Sequence, residues 1–149
     1  MKGIEINFVL KDSLEALKLY EQLFDIKVIE KSELPRGQNE AVFTLYDMRF
    51  HMLDENKEFN LHAPVKGGST SLWFNVLVED LEEIYHRALD LGCTSLQEIT
   101  HFEVFGVSNA SVLDPFGYVW LLQQVHQELS HEERIRLWQE RMAENDAGE

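Results

Sequence analysis

Ser71-Leu72-Trp73-Phe74-Asn75-Val76-Leu77-Val78, followed at once by Glu79-Asp80-Leu81-Glu82-Glu83-Ile84-Tyr85, decides how this chain folds. The first eight residues alternate, with Leu72, Phe74, Val76 and Val78 on one face and Ser71, Trp73 and Asn75 on the other. A period of two marks a strand packed on one side. Asp80 then opens a helix that turns Leu81, Ile84, Tyr85, Ala88 and Leu89 inward. Gly92 ends it, because glycine accepts the left-handed conformation that follows a last helical turn. Cys93–Ile99 reads as the next strand, and Phe102–Phe105 leads through Gly106 into another at Ala110–Leu113. Asp114-Pro115-Phe116-Gly117 is a turn, with proline presetting φ and glycine taking it positive. Tyr118–Gln124 is the last strand.

The same order lies upstream. Ile4–Leu10 alternates, Ile4, Ile6, Phe8 and Leu10 against Glu5, Asn7 and Val9. Asp12 or Ser13 caps a helix carrying Leu14, Leu17, Tyr20 (or Leu19) and Phe24 at helical spacing. Lys27–Ser32 is a strand, Pro35–Asn39 a turn cluster, and Ala41–Leu45 with Met48–Leu53 a hairpin around Tyr46-Asp47. Strand-helix-strand-strand-strand thus occurs twice, offset by about 66 to 68 residues. The predicted fold class is α+β: two βαβββ modules with pseudo-two-fold symmetry forming a curved mixed-sheet cup, plus a C-terminal helix. One domain spans 1–149, with module one at about 1–60, module two at about 70–125 and the helix at about 130–144. Asp54 to Ser69 reads as a surface connection. Ser130-His131-Glu132-Glu133 is a capping-box pattern, and Ile135, Leu137, Trp138 and Met142 give the helix after it an apolar stripe. A lone helix of that length is marginal in water, so it should dock somewhere. Asn145–Glu149 is expected to fray.

Composition narrows the partners. The net charge is −14, and 13 lysines and arginines are scattered along 149 residues. Nucleic acid needs a basic stripe, so it is excluded, as is an anionic membrane surface. No apolar run is long enough to cross a bilayer. The N-terminus does not read as a signal peptide, and one cysteine, Cys93, cannot form an internal disulfide. The expected location is the cytoplasm. Gly-rich phosphate loops, Cys-x-x-Cys pairs and Gly-x-Ser-x-Gly elbows are absent from the sequence, which removes nucleotide, zinc-finger and serine-hydrolase readings.

Several stretches together resemble the vicinal oxygen chelate (glyoxalase/bleomycin-resistance/dioxygenase) superfamily, and within it the PhnB-like group. They are Leu14–Tyr20 with Leu23-Phe24, Val78–Leu81 with Ala88–Cys93, Phe105-Gly106 ahead of Asp114–Trp120, and Leu129–Glu133. The resemblance implies a paired-module cup, assembly as a homodimer, and a small-molecule ligand. In metal-dependent members it implies His, Glu or Gln ligands from the first and last strand of each module. Carried over, those positions fall on Glu5 and His51 in module one and on Ser71 and Leu121 in module two. Leucine binds no metal and serine is a poor ligand for transition ions. Half the usual ligand set is therefore missing.

The residues leave three readings of Glu5 and His51 open. They form a hydrogen-bonded polar pair, or a two-ligand metal site completed by water, His101 or Glu103. In the third, they are a metal-free acid–base pair in which Glu5 takes a proton and His51 polarises an oxygen. The cofactor is thus either a divalent metal or none, and the missing ligands favour none. Asn7, Trp73 and Asn75 point toward the expected cup as an aromatic platform with orienting amides, or Trp73 fills space between modules. Arg49 shares a face with His51 and would hold a carboxylate or phosphate, or neutralise Glu5. His62, His86, His126 and His131 carry no ligand spacing. Cys93 has no nearby base and does not read as a catalytic thiol. The leading functional reading is a small-molecule enzyme of the lyase or isomerase type with a divergent pocket. The alternatives are a non-catalytic drug- or metabolite-binding protein, and a partner-binding protein acting through the C-terminal helix.

Overall fold

The alternation becomes two four-stranded sheets in the computed structural model, which describes residues 1–65, 67–68 and 70–148. Lys66 and Ser69, both within the expected connection, and Glu149 lie outside the described residues. Module one runs β1 (Ile6–Leu10), α1 (Ser13–Leu23), β2 (Ile26–Lys31), β3 (Glu40–Leu45) and β4 (Met48–Asp54). Module two runs β5 (Phe74–Leu77), α2 (Leu81–Asp90), β6 (Thr94–Phe102), β7 (Val107–Leu113) and β8 (Val119–Val125). The sheets have equivalent orders, β1-β4-β3-β2 and β5-β8-β7-β6, with the first and last strands of each module paired in parallel. The repeated pattern in the sequence is a repeated topology.

Both helices start the same way. Asp12 and Asp80 are extended N-cap residues whose carboxylates accept from Glu15 N and Glu83 N, satisfying amides that have no partner inside the helix. Each first helical turn is also tied to its last strand. Ser13 donates its N–H and hydroxyl to Asp54 Oδ1 at 2.8 and 2.7 Å. Leu81 donates its N–H to Gln124 Oε1 at 3.0 Å. Gly92 takes φ +100° just past α2, and Gly117 takes φ +97° in the turn before β8, as their places in the sequence require. The β3–β4 hairpin has a two-residue turn, with Leu45 opposite Met48. Such a turn needs positive φ, and Tyr46 adopts φ 53° although it is not glycine.

The modules are joined on their helix-covered sides. Phe8 and Phe50 meet Phe74 with ring centroids 5.5 Å apart in each pair, and Tyr20 and Phe24 of module one pack on Trp120 at 5.2 and 4.9 Å. Tyr20 donates to Asp114 Oδ2 at 2.5 Å and Tyr118 to Val9 O at 2.8 Å, both across the module boundary. One continuous core results. The sheet faces turned away from the helices, here called the open faces, lie outside that core. Glu5, Asn7, Arg49 and His51 are on one; Trp73, Asn75 and Leu121 are on the other.

Two expected core contacts fall short. Ile4 is 85% exposed because β1 begins at Ile6, and Leu72 is 46% exposed because β5 begins at Phe74. In both cases the alternation runs past the point where a neighbouring strand is present to pair. The C-terminal helix α3 spans His131–Ala147, three residues beyond its expected end, with the Ser130–Glu133 capping box formed. It contributes no buried residue, and Ile135, Trp138 and Met142 remain exposed.

Candidate functional site

Parallel pairing of β1 with β4 sets Asn7 opposite His51. The residue two before Asn7, Glu5, reaches the same open face. There Glu5 Oε2 accepts from Arg49 Nε at 2.7 Å, and Glu5 Oε1 lies 3.2 Å from His51 Nδ1. His51 Nε2 lies 3.0 Å from Glu40 Oε2. The imidazole thus stands between two carboxylates, with its side chain 18% exposed. Glu40 is at the start of β3, and nothing in its local pattern marks it as a member of the cluster. The Arg49 guanidinium is the main reason the Glu5 carboxyl is held below its usual pKa; partial desolvation opposes this and His51 adds to it.

Module two repeats the geometry without the charges. Asn75 pairs with Leu121 as Asn7 pairs with His51. Counting back two residues from each asparagine gives Glu5 in one module and Trp73 in the other. The register therefore puts Trp73, rather than Ser71, at the first-strand position; tryptophan offers no metal-binding atom and serine is a poor ligand. The rest of that face is neutral: Gln97 donates to Asn109 Oδ1 at 2.6 Å, and Gln123 is paired with Asn109 and Leu77. Among the described residues no hydrogen bond joins the Glu5 cluster to Trp73, Asn75 or Ser71.

A metal ion on Glu5 and His51 does not fit this arrangement. Both Glu5 oxygens and both His51 ring nitrogens face side-chain partners, and one of those is an arginine. Among the described residues no group of three or more His, Cys, Asp or Glu side chains is gathered so as to hold an ion. His101 and Glu103, the two side chains weighed beside water as completing ligands, lie instead in module two around a cleft with Ser108 and His126. His101 Nδ1 and His126 Nε2 lie 2.7 and 2.8 Å from Ser108 Oγ. That contact was not visible from spacing along the chain, because three antiparallel strands create it.

Trp73 is 55% exposed and lines an apolar trough of about 690 Å³ with Ile6, Met48, Phe50, Leu72 and Leu77. Its volume is within the range of small-molecule pockets. Cys93 is buried after α2, and burial pushes its thiol up to about 12, so it is inert at neutral pH. His86 is exposed, as its helix position predicted. No helix among the described residues is long and apolar enough to cross a membrane.

No protein-family profile matches the chain, and neither does any curated protein sequence. Solved structures do match. The fosfomycin resistance protein FosX from Listeria monocytogenes is 15% identical with a TM-score of 0.64, over 90% of this chain and 98% of that one. A gene product of Arabidopsis thaliana is 21% identical with a TM-score of 0.66, over 82% and 98%. A glyoxalase/bleomycin resistance protein/dioxygenase family enzyme from Burkholderia phytofirmans is 15% identical with a TM-score of 0.65, over 81% and 96%. Equivalent strand orders, a common register and these neighbours lead to one conclusion: the chain has the paired βαβββ fold of the vicinal oxygen chelate superfamily.

Proposed function

We propose that the protein is a metal-independent small-molecule enzyme of the glyoxalase type, close to the PhnB-like group, with Glu5, Arg49 and His51 as its reacting cluster. The observation that carries this is the imidazole of His51 set beside the Glu5 carboxylate, whose second oxygen is held by Arg49. A carboxylate with a lowered pKa is a weak base while its arginine stays in place. A substrate carboxylate or phosphate would draw Arg49 away by bidentate pairing. Glu5 is then free to take a proton from a carbon next to a carbonyl. The electron pair left behind forms an enolate, whose oxygen accepts a hydrogen bond from His51. Where the deprotonated carbon carries a hydroxyl, His51 passes that hydroxyl's proton to the enolate oxygen and Glu5 returns its proton to the former carbonyl carbon, which exchanges the carbonyl and hydroxyl positions and completes an isomerisation.

The working form in this reading is a cytoplasmic homodimer, with each chain folded as one domain. In a single chain the charged open face and the aromatic open face are separated by the shared core. Both β1 and β5 end their sheets, so each carries an edge at which another strand can pair. A second copy would bring Trp73 and Asn75 to face Glu5, Asn7 and His51. Sedimentation at micromolar concentration tests this, and a purely monomeric species is incompatible with it.

The chemical step is tested by incubating the protein in D2O with α-hydroxy carbonyl compounds and following C–H exchange by NMR. The expected result is exchange that falls by about 100-fold or more in Glu5→Gln and His51→Asn, the usual scale for losing general acid–base catalysis. A second reading, non-catalytic binding of a drug or metabolite, rests on the exposed Trp73 beside an apolar trough in a strongly acidic protein. Ligand-dependent stabilisation without exchange would select it.

A further inference from the structure

The geometry points to Glu40 as a positioning residue for the reaction: its carboxylate holds the single N–H of the His51 ring at Nε2 and leaves Nδ1 as a lone pair for the substrate. This rests on the reading of Glu5 and His51 as the reacting pair, and it adds a residue which that pair does not include.

Strands β3 and β4 build the contact. In their antiparallel register His51 is opposite Val42 and Glu40 is opposite Leu53. Glu40 and His51 are therefore diagonal neighbours on one face, within reach of a long side chain. The Glu40 backbone is pinned as well. Its N–H donates to Ser32 Oγ at 2.9 Å, and its carbonyl accepts from Ser32 N at 3.0 Å. The preceding Asn39 is buried, and its side chain bonds to both the N–H and the carbonyl of Leu34 at 2.7 Å. A half-exposed carboxylate thus stands on a fixed backbone, as a group that orients another must.

Donor counting decides which ring nitrogen carries the proton. A neutral imidazole has one N–H and one lone pair, yet His51 has a carboxylate at each nitrogen. Glu5 lies 3.2 Å from Nδ1 and already shares its charge with Arg49. Glu40 lies 3.0 Å from Nε2, and among the described residues no lysine or arginine pairs with it. The nearer and less neutralised acceptor takes the N–H, and that bond sets the tautomer. Nδ1 is then an acceptor, on the side of the ring where Glu5 removes the substrate's carbon-bound proton.

The consequence is a defined path for the oxygen-bound proton. The substrate hydroxyl gives its proton to Nδ1, and the imidazolium that forms is stabilised by the Glu40 carboxylate against Nε2–H. Nδ1 then passes the proton to the enolate oxygen and the ring is neutral again, with Nε2–H in place throughout. In the other tautomer Nδ1 has no lone pair, and the hydroxyl proton has no acceptor on the ring.

The test reads the ring and the reaction separately. Nitrogen NMR is recorded on protein with isotope-labelled histidine above about pH 8, where an imidazole is ordinarily neutral. The His51 signals are assigned by their loss in His51→Asn. The ring proton is expected on Nε2 in the parent and on Nδ1 in Glu40→Gln, whose amide N–H can donate to Nε2. In D2O with an α-hydroxy ketone, Glu40→Gln should lower kcat for isomerisation by about 100-fold or more with KM unchanged. It should lower C–H exchange much less, because Glu5 still removes that proton and Nδ1–H still bonds to the enolate. Glu21→Gln, an exposed acid on α1, should change neither. Unchanged circular dichroism will establish that the variants are folded. A ring proton on Nδ1 in the parent, an unmoved ring proton in Glu40→Gln, or an unmoved ratio of isomerisation to exchange overturns the role of Glu40 and leaves the reacting pair intact. A parent protein that exchanges no C–H proton overturns the reacting pair, and the role of Glu40 with it.

Discussion

The two modules share a backbone plan and differ in where they place charge. In module one the last residue of β4, Asp54, accepts four hydrogen bonds: the N–H and hydroxyl of Ser13, and the N–H groups of Gly37 and Asn39 at 2.9 and 3.0 Å. In module two the corresponding tie is one bond from Leu81 to the neutral Gln124. The open faces differ likewise, Glu5, Glu40, Arg49 and His51 against Trp73, Asn75, Asn109 and Gln123. Module two does bury a carboxylate, but at its other end. Asp114 accepts from Tyr20, Trp120, Phe116 and Tyr118 and ties the modules together. Strand order therefore does not dictate the electrostatics of a face. The two faces therefore differ in charge on one backbone plan, ionic in module one and neutral in module two.

Asp114 gives the largest expected effect. Asp114→Ala leaves four donors without an acceptor in a buried place, and each such loss is expensive. We expect about 3–5 kcal/mol of destabilisation, read as a lower midpoint in urea. A loss below about 1 kcal/mol would show that the modules do not depend on this tie. The next pair probes the comparison directly. Asp54→Ala should cost about 2–4 kcal/mol and Gln124→Ala about 1 kcal/mol, since one removes four bonds and the other one. Equal costs would mean that the asymmetry of the two helix ties has no energetic content.

Asp54 also predicts the acid limb of stability. Its hydrogen bonds from Ser13, Gly37 and Asn39 outweigh desolvation and lower its pKa in the folded state. Because the unfolded carboxyl binds a proton first, the contribution is complete above the unfolded value of about 3.9 and fades as pH falls through the folded one. Stability against pH should therefore drop less steeply below about pH 4 in Asp54→Asn than in the parent. Parallel curves would assign the acid sensitivity to other groups.

Much of this fold could be read from the sequence because it is written in local signals. The alternation of Phe8 with Asn7 and of Phe74 with Asn75, the caps Asp12, Asp80 and Ser130, and the glycines 92 and 117 all act within a few residues. What escaped reading depends on pairing between distant strands. Glu40 reaches His51, and His126 reaches Ser108, only because of antiparallel registers that loop lengths and bulges set. The equivalence of Trp73 with Glu5 escaped for the same reason, since the first-strand position is fixed by pairing to β4 and β8. The joining of the modules on their helix sides rests on Phe74 and Trp120, which look like ordinary core residues of module two. Nothing local to them says that Phe8, Tyr20 and Phe24 will be their neighbours.

The smallest expected change in stability belongs to the open face of module one, and it is the most direct reading of how that face is tuned. Arg49 is a half-buried partner of a surface carboxylate, and such pairs add little to folding. Arg49→Ala should thus leave the unfolding midpoint nearly unchanged. Its effect belongs in the titration of Glu5, observed through the side-chain carboxyl carbon by NMR. With the guanidinium gone, the opposing desolvation remains, so the Glu5 midpoint should move up toward the usual carboxylate range. His51 should hold back part of that rise. An unmoved midpoint would mean that His51 alone lowers it, and Arg49 would then have no brake on Glu5 to release when a substrate arrives. Trp73, the counterpart in module two, carries no titratable group, so it has no such brake to release.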